Sequence, residues 1–303
     1  MKLLSLAVAF ALLAATPAAQ RGTPPVSDHL TLDVVAIDRN GSPVADLRPD
    51  ELEVWISGYR VPVDEVAFVT PSTTARSIAL VLDNVAVGPE LAMRVKEAGR
   101  AFASALAPGD RVSVGPLEGP RIDVSGQPAR LLQALDGYHA QGFPLRIEDA
   151  GEQVLRLFTA LARQMTEISG RKAIVAIGAA WMFDTPLPPP NLRDLRSEWV
   201  SAMRSMAANN VSLYVIDPVG LRPVRGFSLA GDAGFASETG GYAFTNSNDL
   251  ATAAKRIVDE SGTYYLLRIA DPPVQRTADL RKVEVKTSRK NVTLRTRRGI
   301  PGK

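Results

Sequence analysis

The residue best placed for chemistry is Asp83, which follows the continuous apolar run of residues 77–82. Such a run predicts a parallel strand buried on both faces, and open α/β sheets bind ligands at the carboxyl ends of their strands. A hard cation such as Mg²⁺ needs several oxygen ligands. Asn84 offers one, but Val85 and Val87 offer none. We therefore predict no metal site, with Asp83 as the ligand if one exists, and expect Asp83 to cap the turn after the strand.

The other reactive side chains do not combine into a catalytic site. Ser228 lies in Gly-Phe-Ser-Leu-Ala, which loosely resembles a nucleophile elbow, but no strong buried strand precedes it and Pro223 is close. His29 and His139 are predicted at a strand start and on a loop, where a surface residue is more common than a general base. The chain has no cysteine, which excludes thiol catalysis, thiolate metal sites and disulfides. We expect a protein that is not an enzyme, with a serine hydrolase that uses Ser228 as the alternative.

No nucleotide cofactor is expected. Gly231, Gly234, Gly240 and Gly241 do not follow a strand, as a dinucleotide-binding fingerprint requires. The pair at 240–241 is better explained as the stop of a helix. We predict no cofactor of any kind.

The elements that must position Asp83 alternate between strand and helix over residues 76–261. Apolar strands are predicted at 77–83, 172–177 and 211–217, and helices at 89–106, 148–169 and 192–209. This alternation predicts an α/β domain with a doubly wound, mainly parallel sheet that has helices on both faces. Acids or turns end each strand, so their side chains should meet at one edge, which we call the strand-end rim.

Short alternating strands flank this domain at both ends. The segments 28–69 and 262–303 each have one apolar face that nothing local covers. Because chain termini often lie close together, we expect the two segments to form one small β-sandwich. The predicted divisions are a signal at 1–19, a β segment at 20–75, the α/β domain at 76–261 and a second β segment at 262–303.

The amino terminus predicts export. Lys2 precedes a short apolar run over residues 3–13, and small residues follow up to Ala19. This order is typical of a cleaved secretory signal, and the run is short for a membrane span. An uncleaved anchor is the alternative. We expect a periplasmic or secreted protein with no transmembrane segment after cleavage.

Charge is distributed unevenly along the chain. Residues 281–303 carry nine lysines or arginines and one acid, Glu284, and therefore a net charge of +8. Since the whole chain has +3, the remainder carries −5. The basic strands could contact an anionic polymer, but they have no aromatic residue for base stacking, and nucleic acid is not an expected partner. A solvated sheet face that protects an edge is the simpler explanation.

Several segments resemble a family of exported bacterial proteins with a von Willebrand factor A-related (vWA-like) domain, the acidobacterial type. They include "SIALVLDN", "GRKAIVAIG", "NNVSLYVIDPVGL" and "SETGGYAFTNSNDLATAAKRIVDESGTYYLLRI". The resemblance implies the fold and export, but no substrate. It also implies a cation site built on an Asp-x-Ser-x-Ser motif after the first strand. Here the two serine positions are Val85 and Val87, so the motif is degenerate.

An apolar contact surface is the function that these patterns favour. Trp181, Met182 and Phe183 follow a predicted strand and should join Val85 and Val87 at the strand-end rim. With Asp83 and Asn84, they form the predicted partner-binding set. Packing of Trp181 and Phe183 beneath the proline-rich loop is the alternative. We expect a non-catalytic, metal-independent module that binds a protein or an envelope polymer, with a residual metal-dependent adhesion module as a further alternative. The oligomeric state is not predicted.

Overall fold

The structure is a computed structural model that describes residues 29–71, 74–142, 147–168, 170–179, 183, 193–221, 234–272 and 280–302. The predicted signal and Ser228 lie outside these residues. No helix in the described ranges is long and apolar enough to cross a membrane.

The strands fall into one α/β sheet and two smaller sheets. In chain order they are β1 (His29–Ile37), β2 (Leu52–Ile56), β3 (Tyr59–Val61), β4 (Val63–Val69), β5 (Ser77–Leu82), β6 (Arg111–Pro116), β7 (Ile122–Asp123), β8 (Lys172–Ile177), β9 (Val211–Ile216), β10 (Tyr242–Phe244), β11 (Tyr264–Ala270), β12 (Arg281–Thr287), β13 (Thr293–Arg295) and β14 (Gly299–Ile300). The helices are α1 (Ala92–Ser104), α2 (Pro128–Asp136), α3 (Ile147–Gln164), α4 (Arg193–Ala208), α5 (Phe235–Glu238) and α6 (Leu250–Gly262), with short 3₁₀ turns at Pro49–Glu51 and Pro89–Leu91.

The central sheet has the order β10-β9-β8-β5-β6-β7 and is parallel except for β7, which pairs antiparallel with β6. Every residue of β5, β8 and β9 is buried, which explains their continuous apolar runs. Counted from β5, the order is that of doubly wound α/β sheets. The predicted fold class is confirmed.

Helices cover both faces of this sheet because side chains alternate along each strand. Ala79 and Val81 of β5 pack with α3, α4 and α5, whereas Ile78 and Leu80 pack with α1, α2 and α6. Helix α5 is short and spans only Phe235–Glu238 in the described part of the chain.

The terminal strands form one sandwich, as the fold prediction stated. Its sheets have the orders β13-β1-β11-β4 and β14-β12-β2-β3, so each sheet mixes strands from both ends of the chain. One hydrophobic core lies between them. Pro62 separates β3 and β4, which belong to different sheets, because proline has no N–H to donate to a continuous ladder.

Buried polar contacts join the sandwich to the α/β domain. Asp33 of β1 accepts a hydrogen bond from Asn210 Nδ2 at 2.9 Å, and its carboxylate lies 3.7 Å from Arg171 Nη1. The Arg171 guanidinium also lies over the Tyr264 ring, 4.8 Å from its centroid. Asp33 and Arg171 are both almost fully buried. These contacts hold the two units in one arrangement.

Replacing Tyr265 by phenylalanine is expected to lower the free energy of unfolding by about 1–2 kcal/mol. The Tyr265 hydroxyl accepts the Leu47 N–H and donates to the Val44 carbonyl, both at 2.9 Å, and the ring is 2 % exposed. The variant leaves both backbone groups without this partner. Urea unfolding followed by circular dichroism measures the loss. Tyr59→Phe, at a 60 % exposed position, is the control and should change little; equal losses would contradict the assignment.

Candidate functional site

The strand-end rim consists of the segments that follow β5, β6, β8 and β9, at residues 83–93, 117–119, 178–183 and 217–221. Because β5, β6, β8 and β9 are parallel, their carboxyl ends meet at this edge. Ligands of open α/β sheets bind at such an edge. The rim is therefore the first place to look for a site.

Asp83 is the centre of the rim and is fully buried. Its Oδ1 accepts the N–H groups of Val85 and Ala86 at 3.0 and 2.8 Å, and its Oδ2 accepts the Ala179 N–H at 3.0 Å. The first two bonds close the turn after β5, and the third joins β5 to the segment after β8. Asp83 thus caps the turn, as expected, and also links two strand ends.

Neighbouring side chains extend this framework. Asn84 Nδ2 donates to the Glu118 carbonyl at 3.2 Å, and the Glu118 N–H donates to Asn84 Oδ1 at 3.1 Å. The Tyr138 hydroxyl donates to the carbonyl of Asp83. The Gln141 N–H donates to the carbonyl of Asn84 at 3.0 Å. The inner layer of the rim is therefore held by paired polar groups.

The apolar members of the predicted partner-binding set face inward. Val85 packs into the core on the α3 side of the sheet, and Val87 packs into the core on the α1 side. Phe183 is 1 % exposed and its ring lies 6.3 Å from that of Phe158. A Cβ on Gly178 would lie 2.6 Å from the Phe183 ring. For Phe183, the structure thus agrees with the packing alternative.

The predicted set therefore needs correction as a contact surface. Asp83, Asn84, Val85, Val87 and Phe183 are all 4 % exposed or less. In this conformation their side chains are buried below the surface of the rim and are not available to contact a partner. Trp181 and Met182 lie outside the described residues.

The donors around Asp83 do not fit a hard cation. Three N–H groups point at its carboxylate, and such donors compete with a metal for the same oxygens. Val85 and Val87 put hydrocarbon where the vWA-like motif has hydroxyls. Across the described ranges, no three His, Cys, Asp or Glu side chains form a group suited to a metal. Burial raises the pKa of Asp83, and the backbone N–H bonds partly oppose this rise.

Two exposed apolar side chains do lie on the rim. Met93, in the first turn of α1, is 66 % exposed, and Leu221, after β9, is 65 % exposed. Asn248 joins their segments, since its Oδ1 lies 3.3 Å from the Leu221 nitrogen and 3.4 Å from Arg94 Nη2. Gly220 has a φ of +80°, and a Cβ there would meet Asn248 Oδ1 at 2.3 Å. The segment that carries Leu221 thus has a defined conformation.

Sequence reasoning did not select Met93 or Leu221. A signal existed for Met93, because it falls outside the apolar stripe of α1 formed by Val95, Ala98 and Phe102. An apolar residue on the solvent side of an amphipathic helix marks a candidate contact. Nothing comparable distinguishes Leu221, whose exposure depends on the turn after β9.

The histidines lie in different units. His29 belongs to β1 of the sandwich, and its Nδ1 lies 3.2 Å from the Asp64 carboxylate. His139 is exposed after α2 in the α/β domain. Within the described residues, neither histidine forms a hydrogen bond with Asp83, and Ser228 lies outside these residues.

Comparisons with known proteins find similar folds. The chain matches no protein-family model and no curated protein. An aerotolerance-related membrane protein from Bacteroides fragilis is 17 % identical over 61 % of this chain and 98 % of that one, with a TM-score of 0.40. A von Willebrand factor type A protein from Catenulispora acidiphila is 13 % identical over 88 % and 72 %, with a TM-score of 0.41. Manganese-loaded TRAP protein from Plasmodium vivax is 10 % identical over 77 % and 96 %, with a TM-score of 0.36.

At these identities the likeness concerns the fold alone and says nothing of ligand or partner. The fold class rests on the strand order of the chain itself. That order and the helices on both faces make the central domain a doubly wound α/β domain, to which the terminal strands add a β-sandwich.

Proposed function

We propose that this chain is a non-catalytic interaction module that binds a protein partner through the exposed part of its strand-end rim, without a bound cation. The observation that carries the proposal is the pair Met93 and Leu221. Both are about two-thirds exposed on segments that meet at Asn248. Burying two such side chains against a partner removes apolar surface from water and favours binding.

The framework beneath the pair supports this function. Binding costs less when the contact residues are held in place before the partner arrives. Asp83 and Asn84 join the segment that leads into α1 to neighbouring strand ends, and Tyr138 joins it to the segment after α2. Methionine adapts its shape to a partner surface because it is unbranched and polarisable.

Metal independence follows from the donor set described above. A cation at Asp83 would have to displace three backbone N–H hydrogen bonds. The nearby Val85 and Val87 side chains are buried and offer it only hydrocarbon. The proposal therefore places recognition on apolar contact. The sequence signal at residues 1–19 and the resemblance to exported vWA-related proteins support a periplasmic or secreted location.

Replacing Met93 and Leu221 together by serine is expected to abolish partner capture without changing the melting temperature, because both side chains are exposed. Crosslinking in the native cell envelope, followed by mass spectrometry, measures capture for the chain and for the variant. The control is Tyr59→Ser, which removes another exposed apolar side chain, 60 % exposed, from the sandwich. Equal capture by the chain and the rim variant would refute the proposal.

Two further results would overturn it. Stoichiometric labelling of Ser228 by a covalent serine probe would indicate a hydrolase. Micromolar Mg²⁺ binding in titration calorimetry, lost in Asp83→Ala, would indicate a metal-dependent adhesion module.

A further inference from the structure

A second surface lies on the outer side of α3 and α4. The helices α3 and α4 pack side by side, and a groove of about 790 Å³ runs along their outer side. Gly151 lies against Leu195 and Ser205 Oγ donates to the Thr159 carbonyl at 3.3 Å, so the two helices run in the same direction. Its lining residues on α4 run from Arg196 to Ala208, which corresponds to about 18 Å at 1.5 Å per residue.

Among the described residues that line the groove, the charged ones are Arg163, Arg196 and Arg204. Arg163 is in the last turn of α3, and the other two are about 12 Å apart along α4. All three are exposed. Within the described residues, the side chains of Arg163 and Arg196 form no hydrogen bond or ion pair. Arg163 and Arg196 therefore give the groove two positive charges that no described lining carboxylate neutralises.

Four of the other described lining residues are polar: Ser197, Ser201, Ser205 and Asn209. Ser197 Oγ already donates to Glu198 Oε2 at 2.7 Å and Ser205 Oγ to the Thr159 carbonyl at 3.3 Å, so phosphate binding depends on the arginines. A planar guanidinium can bind two oxygens of a phosphate at once. The arrangement suits an extended chain of phosphate groups better than one isolated anion, because the charges are spread along the groove.

Other anionic partners fit less well. A membrane surface is flat, and amphipathic binding also requires exposed apolar side chains nearby. In the part of the chain that the structure describes, the large exposed apolar residues lie on other elements, namely Tyr59, Met93, Ile122, Leu132 and Leu221. Nucleic acid would need aromatic faces for its bases. Trp199 of α4 instead packs edge-on against Phe235, with ring centroids 5.4 Å apart.

We propose that the groove between α3 and α4 binds a linear, phosphate-bearing polymer through Arg163, Arg196 and Arg204. This site is independent of partner binding at Met93 and Leu221. It gives the protein a means to attach to an anionic polymer while the rim is engaged elsewhere.

The test measures binding of inorganic polyphosphate to the purified protein by titration calorimetry at several salt concentrations. The double variant Arg163→Gln/Arg196→Gln is expected to weaken binding about tenfold or more and to reduce the salt dependence by about one to two in the log–log slope. Its melting curve should match that of the unchanged protein, because both side chains are exposed and unpaired in the described residues.

The control is Lys282→Gln/Lys286→Gln, which removes the same charge from the basic strand β12. A change below about twofold in this control supports a localised groove, since salt-screened attraction to net charge alone would weaken both variants equally. Equal weakening, or no polyphosphate binding by the unchanged protein, overturns the proposal. Two other results also overturn it: binding to phosphatidylglycerol vesicles with the same sensitivity to the groove variant, and self-association that the groove variant abolishes.

Discussion

Replacing Asp83 by alanine is expected to lower the free energy of unfolding by about 3 kcal/mol. The variant leaves the N–H groups of Val85, Ala86 and Ala179 without their carboxylate in a fully buried place. Each such group costs about 1–3 kcal/mol, and relief from burying a charge offsets part of the sum. Urea unfolding measures the loss. A drop in partner capture is expected only where the protein has unfolded.

The matched control is Asp249→Ala, at an exposed cap. Asp249 Oδ1 accepts the Thr252 N–H at 2.9 Å at the start of α6, and its loss should cost less because water can replace it. If added Mg²⁺ raised the melting temperature of the unchanged protein but not of Asp83→Ala, Asp83 would bind a cation and capping would not be its whole role.

The two aspartates should also differ in the sign of their pH dependence. Burial raises the pKa of Asp83, so its contribution to stability is greatest below the unfolded pKa and declines as pH rises through the folded pKa. The hydrogen bond from Thr252 lowers the pKa of Asp249, so its contribution is present above the unfolded pKa and is lost as pH falls through the folded one. The test measures, over a pH series, how much each variant lowers the free energy of unfolding. If this loss changed with pH in the same direction for both variants, the prediction would be wrong.

Replacing Arg76 by methionine is expected to cost about 3–5 kcal/mol of stability. The guanidinium donates to both oxygens of Asp110 at 2.7 Å, and the two side chains are 3 % and 4 % exposed. Arg76 also donates to Ser261 Oγ at 3.1 Å and to the Val258 carbonyl at the end of α6. The variant leaves the Asp110 carboxylate buried without its cation, which is the main source of the loss.

A double-mutant cycle isolates that source. The variant Arg76→Met/Asp110→Leu should recover much of the stability, because apolar side chains of similar volume often replace a buried pair at little cost. Arg60→Met, in the exposed pair with Glu53, should cost below about 1 kcal/mol. If the double variant were as unstable as the sum of its single variants, the pair would not be coupled.

The sequence predicted the fold well because apolar strand runs and helical spacing alternate several times along the chain. Continuous apolar runs identified β5, β8 and β9, and helical spacing identified α1. Two positions show where this reasoning stops. Val85 and Val87 are two residues apart, which in a strand would place both on one face, yet the turn capped by Asp83 sends them to opposite faces of the sheet. Their burial depends on hydrogen bonds that a pattern of residue types does not contain.

The candidate surfaces were less accessible to sequence reasoning, because each combines distant segments. The segments that carry Met93 and Leu221 are joined only because both contact Asn248. Arg163 joins Arg196 and Arg204 only because α3 packs beside α4. Both surfaces therefore depend on how distant elements of the chain pack together.

The pairing of β4 with β11 has a consequence for how the molecule can be rearranged. Val69 and Tyr264 lie opposite each other in the register of these antiparallel strands, so the chain leaves the sandwich and returns to it at adjacent points. Residues 70–263 therefore form a cassette whose two ends already lie side by side. Such a cassette can be exchanged for another domain, or opened by circular permutation, while the receiving strands keep their alignment.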